Sequence, residues 1–211
     1  MPLYKTLTPN SQTTVKIWKI TEPLHWFYSA VSLKPESLTR VSGMKSELHQ
    51  RGFLSVRCLL NAFGYTDSDL YYDAQGKPHL KDGKYISITH SFTFSAVIVS
   101  SHMVGIDIEK QRQKIRVIAP KFAGYEWQYL NQLATDYIQK LTVIWCIKES
   151  LYKLFATPGL SFLQHTLVIP FELQDAETRA WIDYNNQKHS YQTAFLEFEG
   201  FTCAVAFPTD L

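Results

Sequence analysis

One long amphipathic segment constrains this chain more than any other feature. From about Thr135 to Phe155 the residues Tyr137, Leu141, Ile144, Leu151 and Phe155 recur on one stripe, and Pro158-Gly159 closes the run. The spacing predicts a single helix about five turns long. Around it lie short runs with the two-residue period of strands. They are VKIWKI at 15–20, residues 85–90 with Ile86 and Ile88 alternating against Ser87 and Thr89, residues 94–100, and residues 103–109 after a Ser101-His102 turn. HTLVIPF, AWIDY and a final hairpin, YQTAFLEFE-GF-TCAVAF, follow the helix. Further helices are expected from Pro23 through Trp26 and Phe27 to about Leu33, from about Met44 to Phe63 with Ser42 as cap and Gly64 as stop, and from Tyr125 to Leu133. In the second of these, Leu48, Ser55, Val56, Leu59, Ala62 and Phe63 share a stripe and Arg57 falls near the far side from Leu48, the place of a solvated arginine. Strands and helices do not alternate regularly, so the fold class is α+β rather than a doubly wound parallel sheet.

Charge and composition narrow the function. The 211 residues carry 21 Lys and Arg against 19 Asp and Glu, a net charge of +2 that is too balanced to call for nucleic acid. The opening MPLYKTLTPNSQTT has no apolar core of a signal peptide, and the longest apolar run, AVIVSSHMVGI, is far short of the roughly 18 residues a membrane span needs. A soluble cytoplasmic protein is expected. Cys58, Cys146 and Cys203 are far apart among apolar neighbours, which predicts buried thiols in a reducing compartment rather than a disulfide frame or a zinc site. HExxH, GxSxG and GxxxxGK[ST] are all missing, which argues against zinc proteases, serine hydrolases and P-loop enzymes.

Two places carry chemistry. In GIDIEK, strand geometry puts Val104, Ile106 and Ile108 on one face and Gly105, Asp107 and Glu109 on the other, with the two acidic Cα atoms about 6.5–7 Å apart. Adjacent like charges repel unless something offsets them, and a hard cation such as Mg²⁺ suits oxygen donors; a solvent-facing acidic edge is the plainer alternative. On the long helix, Glu149 and Lys153 stack one turn apart, either as a surface pair or on a cleft wall. Lys148 falls about 20° from Tyr137, inside the apolar stripe, and must find a partner or snorkel; Trp145, Glu149 and Lys153 follow at about 80°, 120° and 160°.

Taken in order, GKPHL at 76–80, ISITHS at 86–91, GIDIEK at 105–110 and WCIKESLYKL at 145–154 resemble the 4′-phosphopantetheinyl transferases of the longer, surfactin-type class, with residues 45–162 covered well. The resemblance implies two similar α+β lobes related by a pseudo-twofold, residues 1–103 and 104–211, with coenzyme A between them. It implies Asp107, Glu109 and Glu149 as Mg²⁺ ligands, and Glu149, Lys153 and Asp107 as the catalytic set. Coenzyme A would be met by Lys153, Lys77 and His90, and its 3′-phosphate by Arg57, or by Arg51 as second choice. The implied reaction moves the 4′-phosphopantetheine arm of coenzyme A to a serine of an acyl or peptidyl carrier protein and releases 3′,5′-ADP; the longer class is usually monomeric, and a monomer is expected. Carriers of this kind present an acidic helix, which the basic stretch Lys110, Arg112, Lys114, Arg116 and Lys121 would suit. Thr89 replaces the usual Ser with the hydroxyl kept, and ATPGLSF stands where a Lys-Gly-x-Gly run is common. The alternatives are a weakly catalytic coenzyme A-binding module and a Mg²⁺-dependent pyrophosphohydrolase.

Overall fold

The computed structural model describes residues 3–209, which divide into two compact units between His102 and Met103. The first unit opens with an antiparallel hairpin of β1 (Leu3–Asn10) and β2 (Thr13–Lys19). Three helices follow, α1 (Leu24–Ala30), α2 (Pro35–Ser42) and α3 (Glu47–Ala62). The small ribbon of β3 (Leu70–Tyr72) and β4 (Pro78–Leu80) comes next, then β5 (Tyr85–Ser91) and β6 (Phe94–Ser100). The main sheet has the antiparallel order β1-β2-β6-β5. The alternation read at 15–20 holds in β2, where Val15 and Ile17 are fully buried. Strand β1, with a mostly polar and exposed sequence, left no hydrophobic period to find.

Helix α3 corrects the stripe expected of it. Leu48 is 39% exposed, whereas every residue from Gly52 to Leu60 is buried, because the helix is covered on more than one side. Arg57, expected in solvent, is only 3% exposed. Its Nε donates to Asp67 Oδ1 at 3.0 Å, its terminal nitrogens to Phe53 O and Ser37 Oγ, and its guanidinium lies 3.5 Å from the centroid of the Phe53 ring. The aspartate also accepts the Lys34 amide at 3.0 Å, so the pair ties α3 to the start of α2.

The second unit begins with β7 (Gly105–Lys110) and the short turn of helix α4 (Ile115–Ile118), continues through α5 (Tyr137–Phe155) and α6 (Phe162–His165), and ends in β8 (Thr166–Val168), β9 (Glu177–Tyr184), β10 (Gln187–Phe198) and β11 (Phe201–Pro208). The antiparallel order is β7-β11-β10-β9-β8, with α5 packed across β7 and β11. The helix expected over 125–133 is only a short 3-10 turn, Tyr125–Gln128. Glu126 is fully buried there and its carboxylate accepts the amides of Gly124 and Val168, so the side chain serves the loop instead of a helix surface. Strands and helices together bear out the α+β class. The three cysteines are buried and unbridged, and no helix among the described residues is long and apolar enough to cross a membrane.

Breaking the Arg57–Asp67 pair strands a buried carboxylate. Arg57→Met should lower unfolding free energy by about 3–5 kcal/mol in urea denaturation. A loss within experimental error would show that the pair does not hold α3 in place.

Candidate functional site

Gly105 decides how the second unit is assembled. A Cβ built on it would stand 1.9 Å from the Ser150 carbonyl oxygen of α5, so only glycine allows strand and helix to touch at this point. Ser150 reinforces the contact, its buried hydroxyl donating to Cys146 O at 2.8 Å and to Ala204 O of β11 at 3.0 Å. The contact sets Glu149 and Lys153 of α5 against Asp107 of the strand.

Lys153 Nζ lies 2.7 Å from Asp107 Oδ1 and donates to Ile106 O at 3.0 Å. The lysine side chain is 27% exposed and the aspartate 6%, so the pair sits at a rim with its acid end inside. Burial pushes the Glu149 carboxyl up to about 7, Asp107 and Glu109 push it further the same way, and Lys153 pulls it back. The three carboxylates therefore feel one another. A glutamate poised there is suited to taking up a proton at neutral pH.

Among the described residues no three His, Cys, Asp or Glu side chains are gathered closely enough to cage a metal ion. The chemistry of Asp107, Glu109 and Glu149 nevertheless fits Mg²⁺: all are hard oxygen donors, and the mutual repulsion that raises Glu149 is what a divalent cation would relieve. Neighbouring thiols do not compete for such a role. Burial keeps Cys146 protonated well above its ordinary value and pushes Cys203 up to about 12.

Lys148, expected to need a partner, finds one in Glu126. The ammonium is fully buried, 2.8 Å from Glu126 Oε1, and donates to the carbonyls of Phe122, Thr166 and Phe162 at 2.6, 2.9 and 3.2 Å. This node fastens α5 to the loop before it and to α6 and β8. The partner was hidden in KFAGYEW, where the acid is flanked by aromatics and follows no helical period; a lysine inside an apolar stripe was the only pointer to it.

The other expected contacts lie in the first unit. Arg57 is bound to Asp67 and stacked near Phe53 in the first unit. Arg51 donates to Ile20 O at 3.2 Å, and its buried Nε has no hydrogen-bond partner. His90 is exposed at the end of β5, with Gly52 of α3 beneath it; a Cβ there would come within 3.3 Å of the imidazole. Lys77 is half-buried in the β3–β4 turn, and burial holds its ammonium below the usual lysine range.

Residues 103–206 match the family model of the 4′-phosphopantetheinyl transferase superfamily, and the second unit is a domain of that superfamily. Membership makes it a transferase of the phosphopantetheinyl type, drawing its group from coenzyme A and passing it to carrier proteins. No individual curated protein matches the chain.

The position of Glu149 has a consequence for stability. Its folded value is raised from 4.5 to about 7, so folding favours the protonated form; that contribution is complete below pH 4.5 and is lost as pH rises through 7. In chelator, Glu149→Gln should be more stable than the parent at pH 8 by on the order of 2 kcal/mol, with the difference shrinking to nothing on acidification. Urea titrations at several pH values read it directly. A gap independent of pH would show that the carboxyl is not strained.

Proposed function

We propose that this chain is a surfactin-type transferase that moves the 4′-phosphopantetheine arm of coenzyme A to a serine of an acyl or peptidyl carrier protein, releasing 3′,5′-ADP with the help of Mg²⁺. The observation that carries the reading is the placement of Glu149, a carboxyl raised to about 7 beside Asp107 and Lys153 within the domain that matches the superfamily. Asp107, Glu109 and Glu149 would hold the cation, which supplies neutralisation of the pyrophosphate when bound. Glu149 takes the proton of the serine hydroxyl. Lys153, anchored by Ile106 O and Asp107, presents a fixed positive charge where the phosphate develops negative charge. Phosphoryl transfer of this kind asks mainly for in-line placement and charge stabilisation, and the rigid seat of α5 on β7 supplies the placement. In the first unit, Lys77 and His90 are the groups offered to coenzyme A.

Lys110 at the end of β7 and Arg112, Lys114, Arg116 and Lys121 beyond it are all exposed. An acidic carrier helix would be drawn to that stretch by charge, which mainly speeds association.

Intact-mass spectrometry of apo carriers incubated with the protein, Mg²⁺ and coenzyme A should show the gain of one phosphopantetheine arm, abolished by chelator. Asp107→Ala and Glu149→Ala should each lower kcat by about 10²–10⁴ while thermal stability holds or rises. Near-native rates in both would refute the assigned roles, and 3′,5′-ADP released without any carrier would instead mark a pyrophosphohydrolase.

Reversing Arg112 and Lys114 to Glu together should raise KM for the carrier several-fold and leave KM for coenzyme A in place. Unchanged carrier kinetics would remove that stretch from the docking surface.

A further inference from the structure

The turn that carries Lys77 is organised around one carboxylate. Asp73 Oδ1 accepts the amides of Gln75 at 3.0 Å and Lys77 at 2.9 Å, and Oδ2 lies 3.0 Å from His79 Nε2. The backbone closes the same turn: Asp73 N donates to Lys77 O at 3.1 Å and Gly76 N to Asp73 O at 3.0 Å, with Gly76 at a φ of 83° that glycine adopts freely. A carboxylate only accepts, so Nε2 of His79 is the donor. The ring is held for that bond by Tyr71, stacked on it with centroids 5.3 Å apart and planes 21° from parallel. Tyr71 and His79 are directly paired across β3 and β4.

Nothing in this cluster serves the core. Tyr71 is 47% exposed and the His79 and Asp73 side chains are about a third exposed, so the fold gains little from ordering them. What the cluster fixes is the conformation of residues 73–77, and with it the direction in which Lys77 leaves the turn. Lys77 is half-buried, which removes water from its ammonium, and the charge of the Asp73 carboxylate offsets part of that cost. A flexible lysine on a free loop would lose affinity to ordering on binding, whereas a preset turn does not.

We propose that Asp73, oriented by His79, is the positioning residue through which Lys77 is presented to a phosphate of coenzyme A. This rests on the transferase reading, and binding rather than transfer is the readout that separates the two.

The experiment is calorimetric titration of coenzyme A into the full chain and its variants, with melting temperature followed in parallel. Asp73→Ala and Lys77→Ala should each weaken binding about tenfold, and the double variant should be no weaker than either, because the aspartate acts through the lysine. Asp73→Asn, which keeps an acceptor for the two amides, should recover most of the affinity. His79→Phe, which keeps the stack but loses Nε2, should weaken binding about threefold. Melting temperatures should stay within a few degrees throughout, since the cluster is peripheral. Full multiplication of the two single effects, or an Asp73→Ala that melts early yet binds normally, would overturn this proposal alone. A native chain that binds no coenzyme A would overturn it together with the transferase reading.

Discussion

A helix carbonyl occupies the space that any side chain at position 105 would need. That single close approach, Gly105 against Ser150, holds β7 near α5, the two elements that carry the Lys153–Asp107 contact. With a larger residue the strand would stand off, and the Lys153 ammonium could not reach both Ile106 O and Asp107. Glu149 would return to water, and the burial that raises its carboxyl to about 7 would vanish. The glycine therefore acts on this cluster through packing, with no polar atom of its own beyond the backbone.

Two buried ion pairs, one in each unit, hold particular arrangements in place. Lys148 with Glu126 and Arg57 with Asp67 are each nearly sealed from water and each surrounded by further hydrogen bonds. Buried pairs of this kind add little net stability, but losing one partner is expensive, so they penalise alternative arrangements. Around Lys148 the alternatives excluded are rotations of α5. A turn of the helix by one residue would carry Lys148 away from four acceptors and Glu149 away from Asp107 at the same time.

What the sequence disclosed and what it hid follow from the range of the forces involved. Periodicity exposed α5 and β2, where the pattern of buried positions repeats, and an apolar run exposed β6, which is buried along its whole length. It failed for β1, which is mostly polar and exposed, and for Tyr125–Leu133, where the decisive residue, Glu126, answers a lysine more than twenty positions away. Arg57 was misplaced for a related reason: its partner Asp67 lies beyond the helix, and a helical wheel counts hydrophobic neighbours without seeing an ion pair arrive from a loop. Asp107, Glu109, Glu149 and Lys153 were legible as a pair of spacings, two on a strand and two on a helix turn. The contact of Lys153 with Asp107 was not, since it depends on a backbone approach that no side-chain pattern encodes.

The same logic explains why Asp73 escaped notice while Lys77 did not. A cation in a Gly-Lys-Pro turn is visible as a charge, but the aspartate four residues earlier looks like any loop acid until its hydrogen bonds are counted. Its two oxygens are divided between two functions: one closes the turn through the Gln75 and Lys77 amides, the other meets His79. Because the histidine is held by Tyr71 from the opposite strand, the tip is braced across β3 and β4, while the paired Leu70 and Leu80 at the far end of the ribbon are buried in the core. An exposed hairpin of three-residue strands is too short to be rigid by itself. Where such a hairpin is nonetheless fully bonded at its tip, the order is local, and it is spent on aiming the lysine that the tip carries.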